Sequence, residues 1–113
     1  MLNYGNQRNQ IMDKRQYYLQ KIAEEALEVA TAAMKCIQFG NDSRDPSDPD
    51  GLSNIDHLIY ELRDLDGAIR AAGHQGFMVH SLGNDSYGHS KQKVLKIDRY
   101  YDLCVKLGTV KEE

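Results

Sequence analysis

The chain has 113 residues, with 14 Lys and Arg against 17 Asp and Glu and a formal net charge of −3 at pH 7. It reads as one domain spanning residues 1–113, and a chain this short buries only about two-thirds of the surface its unfolded form exposes, so it leans on a partner subunit. The mixed, slightly acidic charge offers no basic field for a nucleic-acid backbone, and no apolar run reaches the roughly 18 residues of a membrane span, so neither nucleic acid nor a membrane is an expected partner.

Residues 1–9 are polar and without period, which reads as a lead-in or as an arm that packs only in an oligomer. They lack the charged-then-apolar order of a signal peptide, and the expected location is the cytoplasm. From about Ile11 to Phe39 the pattern is helical and closes at Gly40, a residue type that ends helices in the left-handed conformation. The apolar period is weakest near Asp13 to Gln16, where a break is expected. Residues 40–52 hold both prolines and a run of Asp. Asp45, Asp48 and Asp50 do not follow the ligand order of a calcium-binding EF-hand loop, so the stretch reads as a solvated linker, with contact to substrate the lesser reading.

Ser53 with Asp56 makes a capping-box-like start for a second helix, which runs to about Ala72 and stops at Gly73. Residues 73–90 carry four glycines and one short helix is expected around Phe77 to Leu82; loops this long in a small domain are usually functional or disordered. His74, His80 and His89 share no ligand-type spacing, and none is expected to bind metal. The last helix, about Lys91 to Leu107, has its stripe at Val94, Ile97, Tyr101 and Cys104 and ends at Gly108. Cys36 and Cys104 fall on apolar stripes with no second cysteine nearby, as reduced core residues do. Three main helices with no alternating strand pattern indicate an all-α helical bundle. Apolar side chains off the last stripe, Leu95, Leu103 and Val105, suggest a homodimer, with pairing into a tetramer as an extension.

Two carboxylate clusters stand out. On the first helix Leu19, Ile22, Ala26, Val29, Ala33 and Cys36 form one apolar stripe; at about 100° per residue Glu25 falls roughly 60° and Glu28 roughly 120° to one side of it. On the second, Glu61 and Asp64 hold the same offsets from the stripe Leu58, Leu62, Leu65, Ile69 and Ala72. If the helices pack stripe to stripe and antiparallel, both pairs point to the same flank. Four carboxylates brought together repel unless a cation is present, and an oxygen-only ligand set suits Mg²⁺ or Mn²⁺. Either pair alone reads as a solvated helix face; two pairs with matching offsets favour a metal cage with Glu25, Glu28, Glu61 and Asp64 as ligands.

Glu24-Glu25-Ala-Leu-Glu28 followed by Glu61-Leu-Arg-Asp64 resembles the Glu-Glu-x-x-Glu and Glu-x-x-Asp signature of the all-α nucleoside triphosphate pyrophosphohydrolases. These include MazG, dimeric dUTPases, dCTP pyrophosphatases and phosphoribosyl-ATP pyrophosphohydrolase. The stretch Lys21-Ile-Ala-Glu-Glu-Ala-Leu-Glu-Val-Ala, the Gln38-Phe39-Gly40 helix end and Lys93-Val-Leu-Lys-Ile-Asp-Arg-Tyr-Tyr are similar to small, phage-type MazG-like members. The resemblance covers most of residues 17–108. It departs in the 32 residues, 29–60, that separate the two motifs, a longer connection than in compact members.

The resemblance implies hydrolysis of a nucleoside triphosphate to the monophosphate and pyrophosphate, with dGTP the first guess at the substrate and, for a phage-encoded protein, the host cytoplasm as its location. It makes Glu24 a further ligand or a residue that orients or deprotonates water, with plain solvent exposure the other reading. It also points to Lys93, Lys96 and Arg99 as triphosphate-binding residues. From position alone, Lys21, one turn before Glu25, and Asn54, two turns before Glu61, are placed to touch substrate, although an i,i+4 ion pair of Lys21 with Glu25 is the commoner role. Tyr17, Tyr18, Phe39 or Phe77 would stack on any base. Phosphoribosyl-ATP pyrophosphohydrolysis is the second enzymatic reading, and a helical oligomerisation module with an acidic docking face is the non-enzymatic one.

Overall fold

The computed structural model describes residues 11–76 and 88–113, which form three α-helices and, among the described residues, no strand. They are α1, Lys14–Phe39; α2, Asn54–His74; and α3, His89–Leu107. The all-α class expected from the sequence is what the chain adopts. The expectations for residues 1–9, for a short helix around Phe77 to Leu82 and for His80 lie outside the described residues. Two compact units divide the chain, one within residues 1–79 and one within 80–113.

In the first unit, α1 starts three residues later than the pattern suggests. The weak period at Asp13 to Gln16 is not a break within the helix but its capping box: Asp13 Oδ1 accepts from Gln16 N at 2.8 Å, and Asp13 N donates to Gln16 Oε1 at 3.0 Å. A polar pair thus satisfies the free N–H groups that an apolar stripe cannot. At the other end Gly40, with φ 92° and ψ 151°, occupies a region essentially closed to residues with a Cβ. It turns the chain while its N–H still reaches Cys36 O at 3.0 Å.

The connection that follows is exposed along nearly all its length, as expected, and it is also held in shape by hydrogen bonds. Asp48 N donates to Asp45 O and Gly51 N to Asp48 O, both at 2.9 Å, in two successive turns. The Arg44 guanidinium spans them through Nε to Gly51 O at 3.0 Å. The loop is then fastened to the start of α2: Asn54 N donates to Ser43 O at 2.9 Å, Ile55 N to Asn41 O at 3.0 Å, and the Asn54 side chain to Gly40 O at 2.9 Å. Buried Ser53 caps α2 by accepting from Asp56 N. The helix runs through Gly73 to His74 instead of stopping at Ala72, because the turn is made by Gly76 at φ 79°.

α1 and α2 pack antiparallel, the start of α2 beside the end of α1. Their seam keeps most of the stripes expected: Ile22, Val29, Ala33 and Cys36, and Leu58, Leu65, Ile69 and Ala72, are half-buried or buried, and Tyr18, Glu25, Ala32 and Glu61 join them. Leu19 and Leu62, both expected in the seam, are each 47% exposed. The clasp between the loop and Asn54 and Ile55 fixes the start of α2 beside the end of α1. Glu25 and Glu61 stand in the interface, not beside it.

In the second unit α3 starts at His89, two residues before the expected Lys91, from Gly88 at φ 65°, which gives it no side-chain cap. It ends as expected at Gly108, φ 79°, where N–H groups of Thr109 and Val110 return to Cys104 O. Cys36 and Cys104 are both free and half-buried. No helix among the described residues is long and apolar enough to cross a membrane.

Candidate metal centre

Glu25 and Glu28 lie one turn apart on α1 and Glu61 faces them from α2. One carboxylate oxygen from each comes within 4.8 Å of the other two. The Oε2 atoms of Glu25 and Glu61 are buried and face no hydrogen-bond donor. Buried polar atoms are nearly always satisfied, so two orphaned oxygens on neighbouring carboxylates call for a cation or a shared proton.

The electrostatics follow. Glu25 is raised above the usual carboxylate value, first by desolvation and then by repulsion from Glu28 and Asp64. Glu61 is raised first by a hydrogen bond shared with the Glu28 carboxyl, which exists only while one of the two holds a proton, then by desolvation and repulsion. Ionised together, the three have no donor between them.

The donor set fits a hard divalent ion. In octahedral Mg²⁺ coordination neighbouring oxygens stand about 3.0 Å apart and only one pair among three ligands can be opposite, at about 4.2 Å, so a group spanning up to 4.8 Å closes by up to about 1.8 Å around the ion, within the reach of glutamate rotamers. Three carboxylates leave coordination positions for water and phosphate, as Mg²⁺ sites usually do.

Of the four expected ligands, three are brought together. Asp64, exposed on α2, stands outside the tight group and acts on it through its charge, raising both Glu25 and Glu61. Glu24 turns away to its own helix, where Gln20 Nε2 donates to it at 3.2 Å and Lys21 Nζ at 3.3 Å. Lys21 therefore pairs with Glu24 at i,i+3 and not with Glu25, and that hydrogen bond is the main reason its pKa is raised. Its ammonium also lies 5.2 Å from the centre of the Tyr17 ring. Asn54 spends its amide on Gly40 and so holds the loop in place. Lys93, Lys96 and Arg99 belong to α3 in the second unit, where Lys96 rests 5.9 Å from the Tyr100 ring centre.

A cleft of about 750 Å³ opens from the carboxylates along the α1–α2 groove. Glu28 and Glu61 line one end; Lys35 and His57 follow, and Phe39, Arg44, Asp45 and Asn54 line the far end. Sequence reasoning missed Lys35, His57 and the loop residues. Lys35 is seven residues from Glu28 and His57 four from Glu61, so extending the same helical offsets along each helix finds both. No periodic signal marks Arg44 and Asp45, which reach the cleft through the folding of the loop.

Comparison of this chain with known protein families, with curated proteins and with solved structures finds no significant match.

Proposed function

We propose that the chain is a Mg²⁺-dependent nucleoside triphosphate pyrophosphohydrolase of the MazG-like all-α kind, releasing pyrophosphate and a (deoxy)nucleoside monophosphate, with Mn²⁺ as an alternative ion. The observation that carries this reading is the convergence of Glu25, Glu28 and Glu61, two of them with buried, unpartnered oxygens, at the mouth of a cleft of nucleotide size. When bound, a divalent cation there neutralises phosphate charge and favours attack by water.

Glu25, Glu28 and Glu61 would hold the ion, and Asp64 would add negative charge that favours its retention. Water attacks phosphorus at the α–β anhydride, the bridging P–O bond breaks, and pyrophosphate leaves. The water proton passes to a carboxylate or to solvent. Lys21, if it leaves its partner Glu24, Asn54 in the cleft lining, and the cations Lys93, Lys96 and Arg99 are the remaining candidates for substrate contacts.

We further propose that the active form is a homodimer or tetramer. Among the described residues Ala32 and Ala72 are the only buried apolar ones, and no large side chain is fully buried. Leu27, Ile37 and Phe39 are 69%, 76% and 65% exposed on the first unit, more apolar surface than a lone hairpin can cover.

A pyrophosphate-release screen over all nucleoside and deoxynucleoside triphosphates and phosphoribosyl-ATP, with Mg²⁺ and with Mn²⁺, tests the activity. Metal-dependent release from at least one triphosphate, lost in Glu61→Gln, is the expected result. Release from phosphoribosyl-ATP alone would select the second enzymatic reading, and no release from any would leave a helical docking module.

A further inference from the structure

The proposed hydrolase explains only the carboxylate end of the cleft. The far end has a different chemistry. It is walled by the loop between α1 and α2, and it brings a cation, Lys35, and a carboxylate, Asp45, to the same cleft beside the exposed ring of Phe39.

The loop is built to hold that carboxylate. Asp45 Oδ1 accepts from both Ser47 N, at 2.8 Å, and Ser47 Oγ, at 2.7 Å, which fixes the side chain and leaves Oδ2 for another donor. Arg44 ties the two ends of the loop together, through Nε to Gly51 O and Nη1 to Asp42 O, and Asn54 fastens the loop to α2. The hydrogen bonds from Ser47, and more weakly the charge of Lys35, hold the Asp45 carboxyl below its usual value, so it is ionised at neutral pH.

Along α1 the distance from Glu28 to Lys35 is about 10 Å and to Phe39 about 16 Å. A nucleotide with its phosphates at the carboxylate cluster therefore lays its base, not its phosphates, against Lys35, Asp45 and Phe39. An ionised carboxylate facing the cleft also repels a phosphate, so this end does not hold a second phosphoryl group. Guanine fits the donor and acceptor pattern. Its edge presents two acceptors, N7 and O6, followed by donors at N1 and N2. A lysine against the acceptors and a carboxylate against the donors complement both halves. Adenine and cytosine place an amino donor where the lysine needs an acceptor.

Resting on the hydrolase reading above, we propose that the loop between α1 and α2 is the base-reading wall of the cleft, and that Lys35 and Asp45 select a guanine nucleotide stacked on Phe39. Arg44 is a positioning residue that holds Asp45 in the wall.

Two measurements test this: kcat/KM for pyrophosphate release from dGTP, dATP, dCTP and dTTP, and calorimetric binding of their α,β-methylene analogues with Mg²⁺. The proteins are wild type, Asp45→Asn, Lys35→Met and, as a control, Asp50→Asn, which makes the same charge change in the same loop outside the cleft lining. Wild type should prefer dGTP. Asp45→Asn presents a donor to guanine's donors and should lower kcat/KM for dGTP by about 10- to 100-fold, the usual discrimination of one base-edge contact, chiefly through KM. Analogue binding should weaken in parallel, with smaller effects on the other bases. Lys35→Met should do the same, and Asp50→Asn should leave the ranking intact. If pyrophosphate is released but dGTP is not preferred, or both cleft variants keep the wild-type ranking, the base-reading wall is wrong and the hydrolase stands. If wild type releases no pyrophosphate from any nucleotide, the hydrolase reading falls and this inference with it.

Discussion

Replacing Glu61 by Gln removes one of the three converging carboxylates while keeping its shape, and the structure gives this change two opposite effects. In the metal-free protein Glu61 Oε2 is buried without a donor beside Glu25 and Glu28. An amide there ends part of the repulsion and donates to a neighbour, so Glu61→Gln should melt above wild type in EDTA at neutral pH. The pH dependence fixes the sign. Glu25 and Glu61 are both raised, so the folded state keeps their protons to higher pH than the unfolded chain, whose Glu value is about 4.3. Stability therefore falls as pH climbs from about 4.3 through the raised folded values, and the loss is complete above them. The variant should show a shallower fall.

Mg²⁺ reverses the order. At free Mg²⁺ a hundredfold above its Kd, wild type gains about 2.7 kcal/mol; at roughly 4 °C per kcal/mol for a chain of this length, the melting temperature rises by about 10 °C. If the loss of one of three ligands weakens binding a hundredfold, the same Mg²⁺ stabilises the variant by RT ln 2, about 0.4 kcal/mol, or roughly 2 °C. Thermal melts of both proteins in EDTA and in Mg²⁺, from pH 4 to 8, read all of this. A wild type with no Mg²⁺ shift, together with a variant no more stable than wild type in EDTA, would refute the reasoning.

Asp64→Asn should lower turnover less than Glu61→Gln, because Asp64 acts on the cluster through its charge from outside the tight group; kcat of the two variants side by side decides. Asn54→Ala removes the 2.9 Å bond that pins the loop at Gly40 and should cost about 1 kcal/mol, seen as a lower midpoint in urea with an unchanged slope. It should also raise KM for the nucleotide by loosening the cleft wall, and an unchanged midpoint would mean the clasp contributes nothing. Light scattering at micromolar concentration should give at least twice the monomer mass of 12.9 kDa; a monomer would count against the assembly.

Much of this was legible in the residues. The stops at Gly40 and Gly108 and the Ser53 cap follow from local backbone rules, and the three helices appear where the periods place them. The spacing of Glu25, Glu28 and Glu61 was enough to gather them on one side of an antiparallel pair. The margins of the seam were not legible, because Leu19 and Leu62, which stay exposed, are as apolar as the residues that occupy it. The clasp of Asn54 and Ile55 on the loop was not legible either, because hydrogen bonds across 14 residues leave no period. For the same reason the part Asn54 plays in fastening the loop could not be read, although Asn54 does line the cleft, and the loop that walls the cleft read as a linker. The helix ran through Gly73 because glycine is tolerated inside a helix and the left-handed turn fell to Gly76.

Phosphorus NMR of the wild-type protein with Mg²⁺ and each deoxynucleoside triphosphate tests the central claim most directly, because it reads which bond breaks. Pyrophosphate and nucleoside monophosphate should appear together in equal amounts, and neither should form in EDTA. Orthophosphate with a nucleoside diphosphate, or spectra that do not change with any nucleotide, would contradict it.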